Sequence, residues 1–192
     1  MKMNCQSLRK VCIKRFAYII LIFISSCMEA QVVNVSGNWN PSIPVITEAG
    51  SNYAGTYDNS GSTGTNQIIL SGTLPGSFLN VLSGSGAKMT MRYTPNPWNN
   101  SLTLSAKRTG GTTTIHGVCL LCTATINGGT AYIPISQTAD TTFLTFTFGG
   151  VLGLSNSVTF ADINLILQLA GVSVTVPAST YSARIVFTIV AN

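Results

Sequence analysis

Residues 87–93 read AKMTMRY, and their alternation decides how the rest of the chain is read. Ala87, Met89, Met91 and Tyr93 fall on one side of an extended chain, and Lys88, Thr90 and Arg92 on the other. A period of two marks a half-buried β-strand, because successive Cβ atoms point to opposite faces. The pattern returns around Leu102, Leu104 and Ala106, around Leu144, Phe146 and Phe148, and around Ile163, Leu165, Leu167 and Leu169. No window carries the i, i+3, i+4, i+7 apolar stripe of an amphipathic helix. Between these runs lie turn signals. Asn127-Gly128 predicts a hairpin between 122–126 and 129–135, since a type I′ turn needs positive φ at both central residues. Pro95 to Asn100 predicts a surface connection, as do the Ser-Gly clusters at 60–64 and 83–86. Short strands at intervals of about ten residues predict a sandwich or barrel. The expected fold is all-β, an antiparallel immunoglobulin-like β-sandwich, with no linker that divides it.

The N-terminus reads differently. Lys2, Arg9, Lys10, Lys14 and Arg15 precede an apolar run from Phe16 to Ile24, the layout of a secretory signal peptide. The run stops at Ser25 and Ser26, short of the roughly 20 residues a spanning helix needs. Residues 1–30 are therefore expected to be the signal and 31–192 a single exported domain, with no transmembrane span in the mature chain. Cleavage after Ala30 competes with lipidation at Cys27, since Ile24-Ser25-Ser26-Cys27 has the form of a bacterial lipobox. The protein is expected to be secreted or at the cell surface in either case. Five of the ten Lys and Arg go with the signal, as does Glu29. What remains is Lys88, Arg92, Lys107, Arg108 and Arg184 against Glu48, Asp58, Asp140 and Asp162, a net charge of +1. A nucleic-acid surface needs basic residues clustered on one face, and only Lys107 and Arg108 are adjacent. Nucleic acid is thus not an expected partner.

Candidate chemistry is sparse. His116 and the Cys119-Leu-Leu-Cys122 pair form the only cluster with metal or redox potential. A structural zinc site takes four ligands from two separated pairs, and a catalytic CxxC sits at a helix N-terminus; neither context is visible. Cys119 and Cys122 point to opposite faces of a regular strand, so a disulfide between them requires a bend. Local disulfide and inert buried thiols both stand as readings. A serine hydrolase would have to use His116, the sole histidine, and no Gly-x-Ser-x-Gly elbow accompanies it. No two of the carboxylates are paired by spacing, as a glycosidase would need. The expectation is no enzyme and no cofactor. Among the aromatic residues Tyr53, Tyr57, Tyr93, Trp98 and Tyr132, stacking on a surface glycan is an alternative use, with Trp98 and Tyr93 the possible ligand contacts. Trp98 lies between prolines and asparagines and is expected to be exposed, whereas Trp39 is expected to plug one end of the core. Asn34 and Asn99 match the N-glycosylation pattern, which matters only in a host that glycosylates.

The last segment, VPASTYSARIVFTIVAN over 176–192, is apolar on both faces: Tyr181, Ala183, Ile185, Phe187 and Ile189 on one, Val186 and Val190 on the other. Such a strand belongs inside a structure or against a partner. Val174-Thr175-Val176-Pro177-Ala178, followed by Thr180-Tyr181 and the alternating terminal strand, resembles the last hairpin of secreted pilin-like subunits, the spore coat protein U and chaperone-usher fimbrial groups. The resemblance covers about the last 40 residues. The short apolar segment Val32-Val33-Asn34-Val35 is similar to their donor-strand extension. The resemblance implies a structural or adhesive surface protein, a fibre or coat subunit that assembles with itself or a related subunit by strand pairing. Val32, Val33 and Val35 would form the donor or edge strand, lying beside a core strand that contains Ile185, Phe187 and Ile189. A carbohydrate- or surface-binding module is the alternative, and a secreted hydrolase the least supported.

Overall fold

The structure is a computed structural model that describes residues 31–44, 55–75, 86–152 and 157–192, without the side chains of residues 65, 119, 120, 151 and 152. The signal reading, Cys27, Glu48 and Tyr53 lie outside the described residues. Those residues form β1 (Val32–Ser36), β2 (Gly55–Asp58), β3 (Ile68–Pro75), β4 (Ala87–Pro95), β5 (Thr103–His116), β6 (Cys119–Asn127), β7 (Ile133–Pro134), β8 (Thr141–Leu152), β9 (Ser157–Val172) and β10 (Ala183–Ala191). A six-stranded antiparallel sheet has the order β1-β3-β9-β5-β7, with β2 also on β9; a four-stranded antiparallel sheet has the order β10-β4-β8-β6. Two antiparallel sheets packed against each other make the expected all-β sandwich. From β3 onward, every connection passes from one sheet to the other.

The alternating residues supply the core. Ala87, Met89 and Met91 of β4 and Phe146 of β8 meet Leu70, Leu74, Val158, Phe160, Ile163 and Leu165 of the facing sheet, all essentially without exposure. Phe146 and Phe160 touch across the two sheets with ring centroids 5.0 Å apart. Apart from Ala87, each such side chain contributes about 1.5–3 kcal/mol by leaving water. The alternation breaks where Phe143 and Leu144 are both buried. There β8 shifts register against β4 between Met89 and Thr90, and a bulge lets two successive side chains face inward.

Two polar residues hold the sheets where the ladder is irregular. β2 and β3 lie end to end along one side of β9, with a loop and a single 3-10 turn (Gly64–Asn66) between them. The gap leaves part of β9 without a strand beside it. Asn59, only 5% exposed, fills that place: its amide donates to the Leu165 carbonyl, its side-chain oxygen accepts from the Leu167 N–H at 2.6 Å, and its own N–H donates to the Leu167 carbonyl. Arg108 is the second. Its guanidinium donates to the carbonyls of Gly128, Gly110 and Ile126 at 2.7, 2.6 and 3.0 Å, tying the end of β6 to β5. Burial pulls its pKa below the usual arginine value.

The expected Asn127-Gly128 hairpin does not form. Positive φ falls on Gly128 and Gly129 instead, and the chain crosses to the other sheet, where Ile133 and Pro134 pair with Ala106 and Ser105 of β5. Tyr132 anchors the crossing by donating its hydroxyl to Asp58 on β2 at 3.0 Å, and Ile133 packs on the core. These long-range contacts outweigh the local turn preference.

Candidate functional site

A β-sandwich offers its edges as ready-made pairing sites, because an edge strand carries a row of unused N–H and C=O groups. Among the described strands, the sheets end on β1 and β7 in one and on β10 and β6 in the other. Three of these ends are blunted. β7 is two residues long and includes Pro134, which has no N–H. β6 breaks register between Leu120 and Thr123, with Leu121 in the left-handed region at φ 54°. The bulge closes on Gly150 (φ 98°), whose missing Cβ would lie 2.5 Å from the Leu121 carbonyl and 2.7 Å from the Cys122 Cα. β1 is five residues long and mostly solvated.

β10 is different. It pairs with β4 through nine successive residues, Ala183 opposite Pro95 to Ala191 opposite Ala87, without a register shift. Ile185, Phe187 and Ile189 face the core, Ile189 being 2% exposed and the other two packed against it in part. Phe187 meets Phe143 at 6.1 Å between ring centroids. On the outer face Val186 and Val190 are half-buried, opposite Arg92 and Lys88 of β4, so the aliphatic stems of these cations run beside the valines. The strand is long and unbroken, its inward face is apolar, its outer face alternates Arg184 and Thr188 with Val186 and Val190, and its charge is confined to Arg184.

This placement corrects the sequence reading of the terminal strands. Ile185, Phe187 and Ile189 stand on an edge strand, not a central one. Val32, Val33 and Val35 do not lie beside them in a ladder: β1 pairs with β3, Val32 opposite Thr73 and Val35 opposite Leu70. The reason is Gly72, opposite Val33, where any Cβ would run into the Val32 carbonyl and the Phe160 ring. Glycine lets β1 settle on β3, which spends the face that a donor strand would need. Val33 packs on the core, while Val32 and Val35 remain 44% and 50% exposed.

Tyr93 and Trp98, expected as possible glycan contacts, both turn toward the core. Tyr93 is buried at 5% exposure, accepts from the Gln137 amide at 2.6 Å, and lies 5.4 Å from Trp98 between centroids. Trp98 is half-buried, and its Nε1 donates to the Leu102 carbonyl at 3.0 Å. The loop is pinned by backbone bonds from Asn96 to Ser182 and from Ser182 to Pro97, so the ring turns inward. Trp39 is half-buried and packs against the core.

The ionisable residues are dispersed. Asp58 is held below the usual carboxylate range, first by the Ser60 hydroxyl, then by the Ser60 N–H and Tyr132. Desolvation and the Asp58 charge raise Tyr132 in turn, and Lys107 Nζ sits 4.4 Å over its ring. His116 Nε2 lies 3.0 Å from Thr159 Oγ1, Asp162 is within reach of Thr112, and Asp140 forms an exposed 3.7 Å ion pair with Arg92. Cys122 is disulfide-bonded, and the bend that such a bond needs within Cys119 to Cys122 is present at Leu121; the Cys119 side chain is outside the description. Among the described residues no three His, Cys, Asp or Glu side chains gather, and no helix is long and apolar enough to cross a membrane.

Among the described residues, fold and edges together define a two-sheet antiparallel sandwich with one unblunted pairing edge. No family model, no curated protein and no solved structure matches the chain.

Proposed function

We propose that this is an exported structural or adhesive surface protein, a coat or fibre subunit, that assembles by β-strand pairing along β10 rather than by catalysis. The observation that carries the reading is the edge of β10: nine residues in unbroken register, with an apolar inward face, Val186 and Val190 on the outer one, and neither proline nor bulge to stop a neighbour. Export rests on the basic and apolar N-terminal layout. Two copies pairing β10 to β10 antiparallel around a two-fold axis join two four-stranded sheets into one of eight strands. Backbone hydrogen bonds supply the affinity, and the Val186 and Val190 faces are covered in the same step. A coat or fibre then grows from this dimer through a further contact.

Light scattering of the exported chain tests the reading. The expected mass is a dimer or larger that dissociates on dilution. The informative variant is Val186→Glu with Val190→Glu. Each glutamate faces Arg92 or Lys88 within its own chain, so the fold is kept, but like charges meet across the two-fold pair. A monomeric double variant supports pairing at β10; a wild type that is monomeric at every concentration contradicts it.

A further inference from the structure

The sandwich is hollow at one end. Where β9 finishes and β5 and β10 begin, the sheets enclose an open cavity of about 700 Å³. Leu104, Leu167 and Leu169 line its depth, and Trp39, Trp98 and Ile185 line its sides. Protein interiors leave few voids larger than a water molecule, whereas sites for small ligands span about 300–1000 Å³. The cavity therefore has the size of a site, in a sandwich whose other half is filled by Phe143, Phe146 and Phe160.

Its chemistry limits the ligand. No Asp, Glu, Lys, Arg or His is among the described residues that line it. Two of the three lining aromatics already use their polar groups: Trp98 Nε1 donates to the Leu102 carbonyl, and the Tyr181 hydroxyl donates to the Pro177 carbonyl at 2.8 Å. A charged or richly polar group carried inside would lose its water without a partner. An aliphatic chain needs none, and gains by leaving water. Asn40, Ser179 and Thr180 stand at the exposed mouth, and the two other polar side chains of the lining are engaged, Ser173 with the Thr175 hydroxyl and Ser182 with the Asn96 carbonyl.

We propose that the cavity binds an uncharged single-chain amphiphile, with the aliphatic chain between Trp39, Trp98 and the leucines and a hydroxyl-bearing head at the mouth beside Asn40, Ser179 and Thr180. This ligand function differs from pairing at β10: Ala183 and Ile185 give the cavity the inward face of the strand, whereas pairing would use its outer backbone row.

The test uses the uncharged fluorescent probe N-phenyl-1-naphthylamine with the exported chain, and 1-monoolein as competitor at concentrations below its self-association. The expected result is a saturable signal at one site per chain that monoolein displaces and glycerol does not. Ala183→Trp, at the side of the cavity, weakens the probe about tenfold or more by occupying its space, with the circular dichroism of the sandwich unchanged. Ala178→Trp lies on the exposed loop at the mouth, does not touch the β-ladders, and serves if the first variant fails to fold. A wild type that gives no saturable signal overturns the proposal, as does binding that a folded filling variant leaves unchanged. A signal that falls as protein concentration rises and resists monoolein assigns the cavity to a second copy, which overturns it as well.

Discussion

β1 and β10 are the first and last of the described strands, each at the edge of its own sheet, yet they hold to the molecule by different means. β1 is seated by backbone approach: it needs Gly72 beneath it, and buries little besides Val33. β10 is seated by side chains, with Ile185, Phe187 and Ile189 in the core and an unbroken register to β4. The difference separates two consequences of being an edge. A short, largely solvated strand that closes its own sheet contributes stability and offers a neighbour only a short ladder. A long apolar strand anchored in the core keeps its outer hydrogen-bonding row in place whether or not a partner is present.

The largest effect should come from removing the seat of β1. Gly72→Val places side-chain atoms on the Val32 carbonyl and the Phe160 ring, and it should cost about 3 kcal/mol or more in urea denaturation, as overpacking at a closed site does. Deleting residues 31–36 removes the same strand without the clash. A loss of about 2 kcal/mol is expected, from one short ladder and the burial of Val33, with the solution mass per assembly unchanged. Disappearance of oligomers on this deletion would reverse the roles of the two edges. Val186→Glu with Val190→Glu should do the opposite, lowering the mass to that of a monomer while shifting stability by under about 1 kcal/mol, the usual range for solvent-facing cross-strand pairs.

The smallest effect concerns Asp58, which touches neither terminal strand. Its folded pKa lies below the unfolded value, so its stabilising contribution is present above the ordinary carboxylate range and fades as pH falls through the folded pKa. Asp58 is largely exposed, so solvent screens the gain. Asp58→Asn should flatten the acid limb of a thermal-midpoint profile slightly below about pH 4, and leave assembly alone. A change in mass would show that the β2 surface takes part in pairing.

The inward faces of β4, β5, β8 and β9 were legible in the sequence because a period of two is a local property: Met89, Leu104, Phe146 and Leu165 stand where alternation puts them. Partners were not legible, since pairing joins residues far apart in the chain. An apolar strand reads the same at the centre of a sheet as at an exposed edge, and β10 therefore passed for a core strand. The Asn127-Gly128 turn failed for the same reason, its local preference overridden by Tyr132 reaching Asp58. Asn59 carried no usable signal: beside Asp58 and before Ser60-Gly61 it reads as a turn former, and its work is set by Leu165 and Leu167, more than a hundred residues away. Trp98 misled through its prolines, because a loop that Ser182 pins at Asn96 and Pro97 turns its ring into the sandwich.

Amide hydrogen exchange of the exported chain at a series of protein concentrations tests the central claim most directly. Pairing at β10 predicts that protection of amides within Arg184 to Val190 rises with concentration while protection of Val32 to Ser36 stays constant. Protection along β10 that is independent of concentration, or a rise confined to β1, would contradict it.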